Sequence, residues 1–193
     1  ISNSAVTPHQ VHDVNTFLAS AAASHPSFVG FGSIYPGMDG FEEELDRIVS
    51  LGLRGLKIHP DFQKLPIDDP SGIETYRAVA RRGLPVLFLL RQVPDLRVIA
   101  AHFGGWRAWE LSYENPLPEN VLYDTSSTTP MIPRDFVLRM LDRFGPERFL
   151  FGSDFPMWEP VKMVEQFRGL GLDENTLCRI FSGNFEALFP EKA

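Results

Sequence analysis

The sequence alternates short apolar runs with longer amphipathic stretches, and this alternation limits the fold more than any other feature. Some of the short runs are apolar throughout, as in Val86-Leu87-Phe88-Leu89-Leu90, which is typical of strands buried on both faces. Such strands, separated by helical patterns, indicate repeated βα units around a parallel sheet. The predicted strands are 28–35, 54–59, 85–89, 97–101, 120–125 and 148–152. The predicted helices are 8–24, 38–51, 73–82, 134–144, 160–169 and 173–189.

Length and composition favour one domain over residues 1–193, because a chain with 44% hydrophobic and 22% charged residues can bury one sizeable core. The formal net charge is −7 and Lys and Arg are scattered, so we expect no nucleic-acid partner. No apolar run approaches the roughly 20 residues that span a bilayer, and residues 1–6 do not resemble a signal peptide. We therefore expect a cytoplasmic protein without a membrane partner. The single cysteine, Cys178, lies in an apolar-periodic stretch and is expected to be a small core residue.

One connection is too short for a parallel sheet. Only residues 90–96 separate the third predicted strand from the fourth, whereas a parallel crossover needs a dozen or more residues. Either this pair is not a normal parallel unit, or a segment is missing from the chain near 89–91. We favour the second explanation, because residues 93–97 are typical of a crossover helix that runs into a strand. Cα separations near 3.8 Å at every step from Phe88 to Gln92 would refute it.

Polar side chains follow four of the predicted strands. In a (β/α)8 barrel the C-terminal ends of the strands surround the active site, so residues at these ends are the first candidates for chemistry. The four runs are Gly55-Leu56-Lys57-Ile58-His59-Pro60, Val98-Ile99-Ala100-Ala101-His102-Phe103-Gly104-Gly105, Val121-Leu122-Tyr123-Asp124-Thr125-Ser126-Ser127 and Phe149-Leu150-Phe151-Gly152-Ser153-Asp154-Phe155-Pro156. Together they predict one active site at one end of the barrel.

Asp154 and His102 are the strongest candidates. Asp154 ends an apolar strand, where a carboxylate can bind a divalent metal or accept a proton from its bound water, although Ser-Asp-x-Pro is also a turn sequence. His102 ends another apolar strand and precedes two glycines, which allow a tight loop and close approach of a substrate. A neutral imidazole there could bind a metal, and an imidazolium could polarise a carbonyl or donate a proton. Because both residues end predicted strands, we prefer catalytic roles over a turn or a structural histidine.

Lys57 and His59 lie on one face of their predicted strand, since side chains alternate along a strand. Either residue could bind a metal, anchor a substrate anion or stabilise charge, and Lys57 could instead pair with Asp124 inside the barrel. Asp124, Ser126 and Ser127 could donate or accept hydrogen bonds to a ligand or to that lysine. Their roles stay open at this point.

Trp106 follows the two glycines and could line a substrate pocket or pack in the core. If the aromatic residues after Gly105 are exposed, they are compatible with a homodimer interface. The chain lacks a Walker-type phosphate loop, a Gly-x-Gly-x-x-Gly run and a Gly-x-Ser-x-Gly elbow, so nucleotide binding and serine-hydrolase chemistry lose their usual support. We expect His9, His12 and His25 to lie in solvent.

Six segments in a fixed order carry a family resemblance. They are Gly-Leu-Lys-Ile-His-Pro, Gly-Leu-Pro-Val-Leu-Phe, Ala-His-Phe-Gly-Gly, Tyr-Asp-Thr-Ser, Leu-Phe-Gly-Ser-Asp-Phe-Pro and Ser-Gly-Asn-Phe-Glu-Ala-Leu-Phe. From about residue 28 to 189 the chain resembles the amidohydrolase-related family of TIM-barrel metal-dependent hydrolases and decarboxylases. The resemblance implies an α/β fold of the (β/α)8 TIM-barrel class. It also implies that Asp154 is the metal ligand and proton acceptor of the eighth strand, and that His102 is the sixth-strand histidine that activates or polarises the substrate.

The same resemblance implies a divalent metal ion, and we expect zinc. The ligand candidates are Asp154, His102 and His59, and the substrate contacts are Lys57 and Trp106. Two features of the family are absent: a first strand bearing His-x-His, and a histidine ending the fifth strand, where this chain has residues 88–90. We therefore expect a barrel that lacks its first strand and part of the segment after the fifth. If the chain were complete, a metal site with three protein ligands would be doubtful.

The leading hypothesis is a metal-dependent enzyme that acts on a small organic substrate. It would hydrolyse an amide, ester or lactone, or decarboxylate an acid. One alternative is a metal-independent, lactonase-like hydrolase that uses Asp154 and His102 without an ion, and elemental analysis separates the two. Another is a non-catalytic ligand-binding barrel, which gains weight if the full gene also lacks the missing histidines.

Overall fold

The computed structural model describes residues 1–66, 69–87 and 95–189. The chain forms two compact units, Ile1–Ile99 and Ala100–Ala193, which are described separately below. Residues 88–94, on which the predicted gap near 89–91 depends, lie outside the described residues. That gap and the single-domain organisation therefore stay predictions.

Parallel strands form the centre of the first unit. The strands that the structure describes there are β1 (Phe31–Ser33), β2 (Gly55–Lys57), β3 (Val86–Leu87) and β4 (Val98–Ala100, whose last residue begins the second unit). They pair in chain order, with Phe31 opposite Gly55, Leu56 opposite Val86, and Val86 opposite Val98. The helices of this unit are α1 (Val11–Ser24), α2 (Phe41–Ser50), α3 (Pro60–Gln63) and α4 (Pro70–Arg81).

Gly55 allows β1 and β2 to approach closely. A Cβ atom at this position would lie 2.3 Å from Phe31 Cε1 and 2.8 Å from the Pro85 carbonyl oxygen. Because Phe31 is buried and the carbonyl belongs to the backbone, neither atom can move away cheaply. The requirement for glycine here is therefore one of space.

We expect Gly55→Ala to lower the free energy of unfolding by about 2 kcal/mol, since overpacking a filled core forces backbone shifts. Urea unfolding measured by circular dichroism would test this. The matched control is Gly183→Ala, where the nearest atom to an added Cβ lies 3.7 Å away. The prediction fails if the two variants unfold at the same urea concentration.

The second unit carries β5 (Val121–Asp124) and β6 (Phe149–Leu150), which are parallel, with Tyr123 opposite Phe149 and Asp124 opposite Leu150. Aromatic rings fill its core. The Tyr123 ring stacks between Phe144 and Phe149, at centroid distances of 5.3 and 5.2 Å. The helices that the structure describes here are α5 (Trp109–Glu114), α6 (Arg134–Phe144), α7 (Pro160–Arg168), α8 (Glu174–Cys178) and α9 (Asn184–Ala187).

Burial raises the pKa of the Tyr123 phenol, and the nearby Arg148 guanidinium opposes this shift only in part. The hydroxyl is buried without a hydrogen-bond partner among the described residues. The folded protein therefore holds the phenol neutral at a pH where the unfolded chain, with a pKa of about 10, already ionises. The contribution to stability is complete below about pH 10 and is lost as the pH rises above that value.

We expect Tyr123→Phe to match or exceed the wild-type stability at pH 7, because it removes a buried hydroxyl without a partner. As the pH rises above about 10, the wild type should lose more stability than the variant. Urea midpoints measured at several pH values would provide the comparison. Equal losses in the two proteins over that range would contradict the prediction.

All six predicted strands are present, and the five other than β3 are shorter than their predicted ranges. The helix predicted over 134–144 has the same first and last residues as α6 in the structure. The single predicted helix over 173–189 is wrong, because a π-helical turn at Arg179–Gly183 separates α8 from α9. Cys178 is exposed, so its predicted core position is also wrong; Leu177 and Ile180 carry the buried face instead.

Helices α3 and α5 escape prediction because four and six residues are too few to establish an amphipathic period. Across the part of the chain that is described, no helix has both the length and the apolar character to cross a bilayer.

Candidate active site

The loop after β5 organises the candidate site. We call residues 125–128 the β5 loop. Its four side chains are hydroxyls, and all four residues are buried. Buried hydroxyls need hydrogen-bond partners, and these four find them nearby. Thr125 Oγ1 accepts from the Gly152 N–H at 3.2 Å, and Thr128 Oγ1 donates to the Ser126 carbonyl at 2.7 Å.

His102 lies just after β4, in a turn with left-handed backbone. Its φ is +57° and that of Phe103 is +54°, values that non-glycine residues seldom adopt. Two hydrogen bonds hold the turn: the His102 N–H donates to Asp124 Oδ1 at 3.2 Å, and the His102 carbonyl accepts from Trp109 Nε1 at 3.0 Å. Phe103 is fully buried beneath it. The imidazole therefore projects from a fixed backbone.

The contacts of His102 Nδ1 define its tautomer. This nitrogen lies 3.2 Å from the Ser126 carbonyl oxygen and 2.9 Å from Ser126 Oγ. A carbonyl can only accept, and the Ser126 hydroxyl already donates to Asp124 Oδ1 in a short bond. Nδ1 must therefore carry a proton. In the neutral ring Nε2 has the free lone pair, and within the described residues Nε2 receives no hydrogen bond.

Asp124 connects the turn after β4 to the β5 loop through three hydrogen bonds to one carboxylate oxygen. Its Oδ1 accepts from the N–H of Ser126 at 2.8 Å, from the N–H of His102 and from the Ser126 hydroxyl. The carboxylate thus fixes the β5 loop to the turn after β4 and directs the Ser126 proton away from the imidazole. From the sequence alone, Asp124 could have contacted either a ligand or Lys57.

Asp154 follows β6 and is exposed. Its Oδ2 accepts from the Ser127 hydroxyl at 2.7 Å, and Ser127 Oγ accepts from Trp158 Nε1 at 3.0 Å. Among the described residues no hydrogen bond reaches Oδ1. One carboxylate oxygen is therefore anchored and the other is open to a ligand.

Three members of the site share an unusual backbone. His102, Ser127 and Asp154 have φ values of +57°, +53° and +61°, and half of the six non-glycine residues with positive φ among those described lie here. Left-handed conformations at non-glycine residues carry strain and cluster at functional sites. This feature could not be predicted from the sequence, because none of the three residues is glycine.

Close packing joins the ends of β5 and β6. A Cβ at Gly152 would lie 3.1 Å from Ser126 Cβ and 3.6 Å from Asp124 Oδ1. Any larger residue would push the β5 loop outward, so Gly152 sustains the contact between the strand that precedes Asp154 and the loop that holds His102.

The two tryptophans after the glycine pair differ. Trp109 is buried and holds the His102 carbonyl, as described above. Trp106 is 43% exposed and presents its ring edge-on to His102 at a centroid distance of 5.6 Å. Of the predicted substrate contacts, Trp106 therefore does adjoin the imidazole.

Lys57 and His59 belong to the first unit. Lys57 ends β2, where its carbonyl accepts from Ser33 Oγ at 3.3 Å. His59 precedes α3, its N–H donates to Gln63 Oε1 at 3.2 Å, and its ring stacks on Phe62 at 3.8 Å. Their proposed contacts with metal or substrate stay predictions.

The donor set for a metal ion is incomplete. Within residues 1–66, 69–87 and 95–189, no group of three or more His, Cys, Asp and Glu side chains is arranged to hold a metal. The second unit offers a carboxylate oxygen of Asp154 and Nε2 of His102, which are suitable donors by type. The three-ligand set that adds His59 stays a prediction.

The sequence profile of the amidohydrolase family matches residues 3–190. The chain belongs to the amidohydrolase family. The family match and the enzymes among the similar solved structures indicate a metal-dependent enzyme. No curated protein matches this chain significantly.

Solved structures support the fold. A dihydroxybenzoic acid decarboxylase from Polaromonas sp. JS666, solved with manganese and 2-nitroresorcinol, matches with a TM-score of 0.79 and 18% identity, covering 100% of this chain and 79% of its own. A 5-carboxyvanillate decarboxylase from Sphingomonas paucimobilis matches with a TM-score of 0.76 and 18% identity, covering 94% and 72%.

A third match is a candidate 2-pyrone-4,6-dicarboxylic acid hydrolase from Pseudomonas putida, with a TM-score of 0.73 and 19% identity, covering 93% of this chain and 78% of its own. The predicted α/β class of TIM-barrel type is confirmed by these likenesses.

Proposed function

We propose that this amidohydrolase-family protein is a divalent-metal-dependent enzyme that hydrolyses or decarboxylates a small organic acid or ester. One observation carries the proposal. His102 and Asp154 follow different strands, yet consecutive residues of one buried loop, Ser126 and Ser127, hold them. One loop thereby holds an imidazole and a carboxylate, each with one atom left open. This is the pairing that acid–base catalysis needs.

Each open atom has a defined chemical capacity. Oδ1 of Asp154 can accept a proton from an attacking water, because an ionised carboxylate is a base. Nε2 of neutral His102 can accept a proton, and once protonated it can donate one to a leaving group or to the carbon that loses carbon dioxide. Ser126 keeps Nδ1 protonated in the neutral and in the protonated imidazole, so Nε2 is the nitrogen that gains and loses the proton.

The residues present suit a divalent metal in chemical type but not in number. Asp154 and His102 offer one oxygen and one nitrogen donor, and a bound ion would supply Lewis-acid activation of water or of a substrate carbonyl. We propose a divalent ion because structural relatives contain manganese. Zinc, expected from the sequence, and manganese are both to be tested.

The test is an assay of the purified protein with Mn²⁺ or Zn²⁺ added. The substrates are 2,6-dihydroxybenzoate, 5-carboxyvanillate and 2-pyrone-4,6-dicarboxylate, followed by ultraviolet absorbance and carbon dioxide release. We expect turnover of at least one compound, loss of activity after chelation, and recovery when metal is returned. Elemental analysis of the active protein identifies the ion.

Two results would favour the alternatives. Activity that survives complete metal removal favours the metal-independent hydrolase. Absence of turnover for all three compounds, with metal present, favours a non-catalytic binding barrel.

Cytoplasmic location and a homodimer remain proposals. The exposure of Trp106 is compatible with an interface. Light scattering would measure the oligomeric state, and cell fractionation the location.

A further inference from the structure

We propose that Ser127, itself held by Trp158, is a positioning residue that fixes the carboxylate of Asp154. The proposal rests on the catalytic role proposed for Asp154. The three side chains form a continuous relay: Trp158 Nε1 lies 3.0 Å from Ser127 Oγ, and Ser127 Oγ lies 2.7 Å from Asp154 Oδ2. Sequence reasoning identified neither the relay nor any role for Trp158.

Chemistry fixes the direction of both hydrogen bonds. An indole N–H can only donate, so Ser127 Oγ accepts from Trp158. An ionised carboxylate can only accept, so the single Ser127 proton goes to Asp154. A donor whose own oxygen accepts a hydrogen bond is polarised and binds its acceptor more strongly. Trp158 therefore strengthens and directs the bond that Ser127 makes.

Burial supplies the rigidity. Ser127 is fully buried and its backbone is left-handed, with φ +53°. Asp154 by contrast is exposed, and an exposed aspartate exchanges rotamers freely unless a contact holds it. The relay joins the exposed carboxylate to a loop that is buried and held by several hydrogen bonds. It selects which oxygen is anchored, so Oδ1 is the oxygen presented to a ligand.

The adjacent serines have separate tasks. The Ser126 hydroxyl donates its single proton to Asp124 and accepts from His102, so it has no proton left for Asp154. Ser127 has no part in that network and serves Asp154 alone. One dipeptide thereby positions both candidate catalytic residues, and removing one hydroxyl should leave the other half intact.

The first experiment measures the relay without any substrate. Trp158 contributes one indole N–H signal to the ¹H–¹⁵N spectrum, assigned by its loss in Trp158→Phe. We expect Asp154→Asn to move this signal: the amide oxygen can still accept from Ser127, but the loss of the carboxylate charge weakens that hydrogen bond, and Ser127 transmits the change to the indole. Ser127→Gly should move it further and speed its hydrogen exchange. Glycine is chosen because it keeps the left-handed backbone and removes only the hydroxymethyl group. A Trp158 signal that ignores Asp154→Asn overturns the relay.

The second experiment measures turnover of whichever of the three test compounds (2,6-dihydroxybenzoate, 5-carboxyvanillate or 2-pyrone-4,6-dicarboxylate) is a substrate. We expect Ser127→Gly and Trp158→Phe to lower kcat by about 10- to 100-fold with KM changed by less than about twofold, because the open oxygen is misplaced while binding contacts persist. The matched control is Thr129→Val, which removes a hydroxyl just beyond the β5 loop that bonds Gln166 at 3.0 Å. Its kcat and its Trp158 signal should both stay unchanged.

Two outcomes are decisive here. A kcat within about twofold of wild type in Ser127→Gly overturns the positioning role, even if the spectrum reveals the relay. If the wild type turns over no panel substrate, the proposed function fails, and the spectrum still decides whether Ser127 fixes Asp154.

Discussion

The Asp154→Asn protein is expected to keep its fold and to lose kcat by about 10³-fold, because the variant cannot accept a proton at the open position. Asparagine is the informative substitution. It tolerates the left-handed backbone at φ +61°, and its amide oxygen can still accept the Ser127 hydrogen bond. The amide nitrogen then occupies the place of Oδ1, where it can neither accept a proton nor bind a cation.

The measurement is kcat with a panel substrate, together with thermal unfolding and metal content by elemental analysis. The matched control is Asp173→Asn, an exposed aspartate of the same unit that caps α8 through the Thr176 N–H at 3.1 Å. Asparagine also caps helices well, so this variant should be fully active. Wild-type turnover in Asp154→Asn would remove Asp154 from the mechanism.

The second large effect is expected at His102. His102→Asn should lower kcat by about 10²- to 10³-fold, since the variant has no titratable group to transfer a proton. Asparagine again tolerates the left-handed backbone, with φ +57°, so the turn after β4 should persist. The hydrogen bonds from the His102 N–H and to its carbonyl involve only main-chain atoms of this residue, and they remain.

The tautomer gives an independent check of the His102 role. Nitrogen-15 spectra of the neutral imidazole should identify Nδ1 as protonated and Nε2 as bare. The control His25→Asn, at an exposed position in the first unit, should leave turnover unchanged. Protonation of neutral His102 at Nε2 instead would contradict the Ser126 arrangement, and full activity of His102→Asn would exclude the residue from the chemistry.

The strand pattern was readable because burial on both faces leaves a direct trace in the sequence. All three residues of the apolar strand Val98–Ala100 are buried, and glycines such as Gly52 and Gly145 mark helix ends through their positive φ of +75° and +81°. The strand lengths could not be predicted, since an apolar run can continue past the residues that pair with the neighbouring strand. The break at Arg179–Gly183 also left no trace, because a π turn keeps the residue types of a helix.

Asp154 and His102 could be predicted as candidates because position relative to a strand is a property of the sequence. By that criterion Trp158 was not separable from ordinary surface residues, and the partners of Ser126 and Ser127 stayed open. Their roles depend on which atoms approach within hydrogen-bond distance across 24 to 31 residues of chain. No local pattern encodes such distances.

By itself the sequence determined the alternation of strands and helices, the family and the two residues most suited to proton transfer, because these follow from side-chain type and spacing along the chain. Only the tertiary structure decided that Asp124 orders the Ser126 proton, that His102 presents Nε2, and that Ser127 anchors one oxygen of Asp154. The physical reason is that hydrogen bonds have direction. A donor and an acceptor become distinct roles only when folding brings specific atoms together.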